Sequence, residues 1–233
     1  MYSKELSERN PLRLFEHSIH GGLGQGNIGV VVARHGLGKS AFLVGIAIDD
    51  AIRGRRVLHV SLDKTVDHMR EFYDEIFMDL AHSAGLEDLA TARLDMERHR
   101  MIHTYTGGKF STDKLRHSMQ FLKEVAHFEP ECLILEGFGF EQASLADLEA
   151  LRKLAADFNV ELWMSAVTHR GVGADALGIP EPLTKLAAAI SVIVQMADDR
   201  GSVNLSLLKD HDNPNVAKLT LALDPSTMLL VKK

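Results

Sequence analysis

Along the chain, short runs that are apolar at every position alternate with longer segments whose apolar residues recur every three to four positions. "IGVVVA" (Ile28 to Ala33) contains no polar residue and is rich in β-branched side chains, which predicts a strand buried on both faces. "GKSAFLVGIAIDDAIRG" follows as a predicted helix with Gly54 as its C-terminal stop, and "RRVLHVSL" (Arg55 to Leu62) as a second strand. In "TVDHMREFYDEIFMDLAHSAG", Val66, Met69, Phe72/Tyr73 and Ile76/Phe77 fall at helical spacing, with Thr65 or Asp67 near the start and Gly85 at the end. This strand-helix order favours a parallel sheet covered by helices.

The alternation continues with a helix in "LEDLATARLDMERHR", a strand at Met101 to Tyr105, and a helix in "STDKLRHSMQFLKEVAHF". A strand at Glu131 to Gly137, a helix opened by Ser144 and a strand at Val160 to Val167 come next. After Pro182 the pattern changes. A short helix "LTKLAAA" precedes four strand-like runs, "ISVIVQM", "SVNLSLLK", "VAKLTLAL" and "MLLV", separated by the turn-rich pieces "ADDRG", "DHDNPN" and "DPST". The expected fold is a three-layer α/β/α domain spanning 1–233, with a parallel central sheet and antiparallel C-terminal strands.

Composition narrows the function more than the fold. The 233 residues, 45% hydrophobic and 25% charged, can bury one sizeable core. A net charge of -6 gives no general attraction for nucleic acid or an anionic membrane. The single cysteine, Cys132, lies within "CLIL" and reads as a buried structural thiol. "MYSKELSERNPLRLF" shows no basic segment followed by an apolar one, and no run reaches membrane-spanning length, so a cytoplasmic protein is expected.

The stretch "ARHGLGKS" (Ala33 to Ser40) carries the candidate chemistry. Between a buried strand and a helix, small residues let backbone N–H groups converge on phosphate oxygens while the helix offers its positive end. Arg34, His35, Gly36, Leu37, Gly38, Lys39, Ser40 and Ala41 are the expected nucleotide contacts, with Lys39 on the β- and γ-phosphates and the Ser40 hydroxyl on Mg²⁺. A chance match is the alternative, and the strand-loop-helix context weighs against it.

Ligands of open α/β sheets bind beyond the carboxyl ends of parallel strands, where Asp63 and Glu136 both fall. One should serve the metal and one should polarise an attacking water. Glu136, ending "CLIL", is the metal-side candidate, and Asp63 the water-side one. The competing readings are a solvated acid for Glu136 and a helix cap for Asp63. Thr168 and His169 in "SAVTHR" are polar groups expected to face the γ-phosphate.

With these residues placed, the chain resembles the RecA-like P-loop ATPases, most nearly the KaiC-like and DnaB-like branch, over about residues 12 to 231. "GGLGQGNIGVVVARHGLGKS", "RVLHVSLDK", "SAVTHR" and "LSLLKDHDNP" carry the resemblance in order. It implies ATP and Mg²⁺ as cofactors, Asp63 where the family has a water-activating glutamate, and Lys209 as the first member of a Lys-x-Arg pair that reaches a neighbour's γ-phosphate. It also implies a homo-oligomeric ring or filament. Three positions depart: Asp63 is a methylene shorter than the family residue, Glu136 a methylene longer, and His211 replaces the pair's arginine, which lacks a permanent guanidinium fork.

These departures imply slow hydrolysis coupled to an unknown protein partner, or a nucleotide-sensing scaffold that hydrolyses little. The loops at 137–144 and 170–182 set Arg170 against Glu141, Asp175 and Glu181, with Glu136 at the root, which weighs against tight DNA binding. "IRGRR" (Ile52 to Arg56) is the densest basic spot and reads as a decorated helix end. The twelve histidines are scattered, with no H-E-x-x-H spacing.

Overall fold

The computed structural model describes residues 10–105, 107–169, 171–199 and 201–233. Nine strands, β1 (Ile28–Ala33), β2 (Val57–Ser61), β3 (Arg100–Thr104), β4 (Cys132–Glu136), β5 (Glu161–Val167), β6 (Val192–Asp199), β7 (Ser202–Asp210), β8 (Leu221–Leu223) and β9 (Leu230–Lys232), form one sheet. Their order is β3-β2-β4-β5-β1-β6-β7-β8-β9. Every joint from β3 to β6 is parallel, and the joints from β6 to β9 are antiparallel. The parallel centre and antiparallel C-terminal edge are therefore as the pattern predicts, with the change of direction falling between β6 and β7.

Helices cover both faces. Alternate strand residues point to opposite sides, so Val31, Cys132, Ile134 and Trp163 join one core and Val30, Leu58, Leu133 and Met164 the other. The first core is closed by α1 (Leu12–Ser18), α2 (Lys39–Ile52), α3 (Val66–Ser83) and α4 (Leu89–His99). The second is closed by α5 (Thr112–Glu124), α6 (Leu145–Asp157) and a 3₁₀ turn at Thr184–Ala189. This two-sided cover explains the unbroken apolar runs of the central strands.

The helices begin where side chains can cap them. Thr65 accepts from His68 N, Ser111 from Lys114 N, and Ser144 and Asp147 form a reciprocal capping box. Thr65, and not Asp63, is thus the cap of α3. In β1, Gly29 lies opposite Trp163 of β5, and a Cβ there would come within 2.4 Å of the indole ring.

Two elements differ from expectation. α1 was not anticipated because its flanks are polar, yet Leu12, Phe15 and Ile19 sit at helical spacing and are buried, and Phe15 packs on Phe42 and Trp163. The predicted strand "VAKLTLAL" shrinks to Leu221–Leu223. Asn213 holds a local turn through hydrogen bonds to Asn215 N and O, both 2.9 Å, and the chain rejoins the ladder only at Leu221.

Candidate functional site

β1 runs between β5 and β6, and its carboxyl end leads through residues 34–38 into α2. Gly36 and Gly38 take positive φ of 78° and 82°, and Gly38 caps α2 in a left-handed conformation with no side chain on the first-turn N–H groups. Those groups and the positive end of the helix macrodipole open onto a cleft of about 610 Å³. Space at Gly38 is as restrictive as its conformation, since a Cβ would meet Leu223 Cδ2 at 2.4 Å.

His35, Gly36, Gly38, Lys39, Ser40 and Ala41 line this cleft. Arg34 borders a separate hollow with Thr168 and His169, and Leu37 packs on the first core. The Lys39 ammonium is folded back over its own loop, donating to Ala33 O at 3.1 Å and Arg34 O at 2.9 Å. Burial lowers its pKa from the ordinary lysine value, against the pull of Glu136 and with the help of Lys64.

Both strand-end acids reach the cleft. Glu136 is 3% exposed at the end of β4. Its Oε2 lies 3.3 Å from His59 Nε2, and His59 Nδ1 lies 2.8 Å from the Tyr73 hydroxyl, with both His59 and Tyr73 fully buried. The Arg100 guanidinium stacks 4.4 Å over the Tyr73 ring. Burial alone would raise the Glu136 pKa. The hydrogen bond and charge of His59, the charge of Lys64 and the Ser40 hydroxyl outweigh it, so the net shift is downward and the carboxylate stays ionised.

Asp63 stands exposed just beyond β2 and accepts from Ser61 Oγ at 3.1 Å. It presses on Gly137, which has φ of +81°; a Cβ there would come within 3.2 Å of Asp63 Cγ. A glycine after Glu136 is what lets the two acids share one cleft. Neither a protein-family model nor a curated protein matches the chain.

Ser40 and Glu136 supply a hydroxyl and an ionised carboxylate, oxygen donors that suit Mg²⁺. Among the described residues no group of three or more His, Cys, Asp or Glu is arranged to hold a metal. A second ammonium is present instead: Lys64 Nζ donates to Ser40 Oγ at 3.2 Å.

Four residues singled out in the sequence sit elsewhere. His169 pairs with Glu141 at 3.3 Å and its ring lies 6.5 Å from that of His35, at the rim. Thr168 donates to Glu181 O at 3.1 Å. Lys209 donates to Ala187 O and Ile190 O at 2.7 and 2.6 Å, tying β7 to the 3₁₀ turn. His211 is held within the chain by Asp210 Oδ1 at 2.9 Å and Leu23 O at 3.0 Å. Arg170 lies outside the described residues.

Lys64, which lines the cleft, and His59, buried behind Glu136, were not among the expected site residues. Lys64 follows Asp63 directly in "SLDKT", and the only signal was its place at a strand end. His59 interrupts the apolar run "VLHVS", and Ser61 two positions on shares its face, which marks one polar side on an otherwise buried strand.

Proposed function

We propose that this protein binds ATP at the 33–40 loop and hydrolyses it slowly, as a RecA-like P-loop domain of the KaiC-like and DnaB-like branch, driving an assembly or partner yet to be identified. The observation that carries this reading is the convergence of Lys39, Ser40, Glu136 and Asp63 on one cleft at a helix N-terminus that no side chain caps. Loop N–H groups and Lys39 bind the phosphates once Lys39 leaves the Ala33 and Arg34 carbonyls. Ser40 and Glu136 would hold Mg²⁺, which would supply charge neutralisation for the phosphates. Asp63 orients the attacking water from a solvent-facing position.

ATP binding by isothermal titration calorimetry in wild type and Lys39→Ala tests the proposal. We expect the variant to lose at least about tenfold in affinity. Equal affinities would refute it.

A nucleotide sensor that barely turns over is the second reading, favoured by the Lys64 ammonium on Ser40 and by the short reach of Asp63. Steady turnover that collapses in Asp63→Ala would exclude it. A ring or filament remains part of the proposal by resemblance, but Lys209 and His211 are engaged within their own chain and would have to leave those partners to act on a neighbour. Nucleic acid is disfavoured by the acidic loops around the cleft. Among the described residues no helix is long and apolar enough to cross a membrane.

A further inference from the structure

Lys64 lies outside the loop that defines the site, yet its side chain is the second cation of the cleft. Its backbone is fixed from two sides. Lys64 N donates to Ser61 Oγ at 3.0 Å, the same fully buried serine donates to Asp63, and Thr65 then caps α3. From that turn the side chain carries Nζ to 5.8 Å from the Phe72 ring centroid, and the ammonium donates to Ser40 Oγ. The Lys64 charge and the Ser40 hydroxyl both act on Glu136. Ammonium, hydroxyl and carboxylate therefore share the volume in which a divalent ion would take Ser40 and Glu136 as donors.

We propose that the Lys64 ammonium is a built-in counter-cation of this site, so that ATP binds without a divalent ion and an added divalent ion displaces Lys64 from Ser40. The proposal rests on the ATP-binding reading above. An ammonium has three donors and Lys64 spends one on Ser40, leaving two for phosphate oxygens. Because it is tethered at the start of α3, it is present at the site at high effective concentration whatever the metal level. Metal and lysine would compete for the same hydroxyl, so their contributions to affinity should replace each other and not add.

The test is ATP binding by calorimetry in EDTA and in excess MgCl₂, with wild type, Lys64→Met and Lys64→Arg. Methionine keeps an unbranched side chain without the charge, and arginine keeps the charge. For wild type, affinities in the two buffers should agree within about threefold, and Lys64→Met should lose about tenfold or more in EDTA but less than about threefold with Mg²⁺. Lys64→Arg should retain binding in EDTA.

Wild-type binding with Mg²⁺ that vanishes in EDTA would overturn the counter-cation role while leaving the ATP site standing. Equal losses for Lys64→Met in both buffers would also overturn it, showing an ordinary phosphate contact. No binding by wild type in either buffer would overturn both readings. The wild-type comparison can overturn the proposal by itself, and Lys64→Gln, which also removes the charge, replaces Lys64→Met if that variant fails to fold.

Discussion

Asp50 offers a quantitative check on the end of the sheet opposite the cleft. It lies in the last turn of α2, 3% exposed, where an acid also opposes the helix macrodipole. Arg55 Nη1 donates to it at 2.9 Å, Arg53 Nη1 stands 4.0 Å away, and Arg55 also reaches Glu161 at 3.4 Å. Burial pushes the Asp50 pKa up to about 7; Arg55 opposes the rise, Glu161 and Asp49 add to it, and Arg53 opposes it.

The folded-state value is thus raised above the ordinary 3.8, so the native protein keeps a proton that the unfolded chain has released. The resulting stability is full below the unfolded value and is lost as pH rises through about 7. Just over three decades of proton affinity correspond to about 4 kcal/mol over the whole window. Asp50→Asn mimics the protonated side chain and removes this dependence.

Urea denaturation of both proteins at about pH 5 and about pH 8 should show the stability difference moving in favour of the variant by roughly 3 kcal/mol at the higher pH. Glu136, which is not among the groups acting on Asp50, titrates alike in both proteins, so its contribution cancels in the difference. A difference that stays constant with pH would refute the reasoning.

Two further substitutions test the interior. His59→Leu removes the partner of the buried Tyr73 hydroxyl and one hydrogen bond of Glu136. Urea melts should show a loss of about 2–4 kcal/mol, and a loss under about 1 kcal/mol would mean that these groups do not depend on His59. Gly29→Ala drives a methyl to within 2.4 Å of Trp163, whose ring is also packed by Phe15. A loss of roughly 1–3 kcal/mol should accompany a changed emission from the chain's single tryptophan, and an unchanged spectrum and melt would contradict the packing.

β1 was readable because burial on both faces leaves it no polar residue to blur the pattern, and Ile28–Ala33 was predicted to the residue. Helix starts were readable where a cap is local, as at Ser144. α1 was not, because Leu12 and Phe15 are recognisable as core only once α2 and β5 supply Phe42 and Trp163 to pack on. In the cleft, the loop residues carry a short-range signature. The approach of Lys64 to Ser40 spans 24 positions and depends on how β2 and α3 are placed, which no local pattern encodes.

The same placement explains why the cleft can hold two ammonium groups before any ligand arrives. Lys39 rests on two carbonyl oxygens and Lys64 on a hydroxyl, neutral acceptors that replace part of the lost hydration without cancelling the charge. The ionised Glu136 nearby offsets part of their repulsion, and the lowered Lys39 pKa records the desolvation that remains. Phosphate oxygens are stronger acceptors than these carbonyls and this hydroxyl, and they carry the compensating charge. On the proposed reading, a polyphosphate entering at the α2 N-terminus would draw Lys39 off its two carbonyls and take the two donors that Lys64 does not spend on Ser40, and the exchange of neutral for charged acceptors would favour binding.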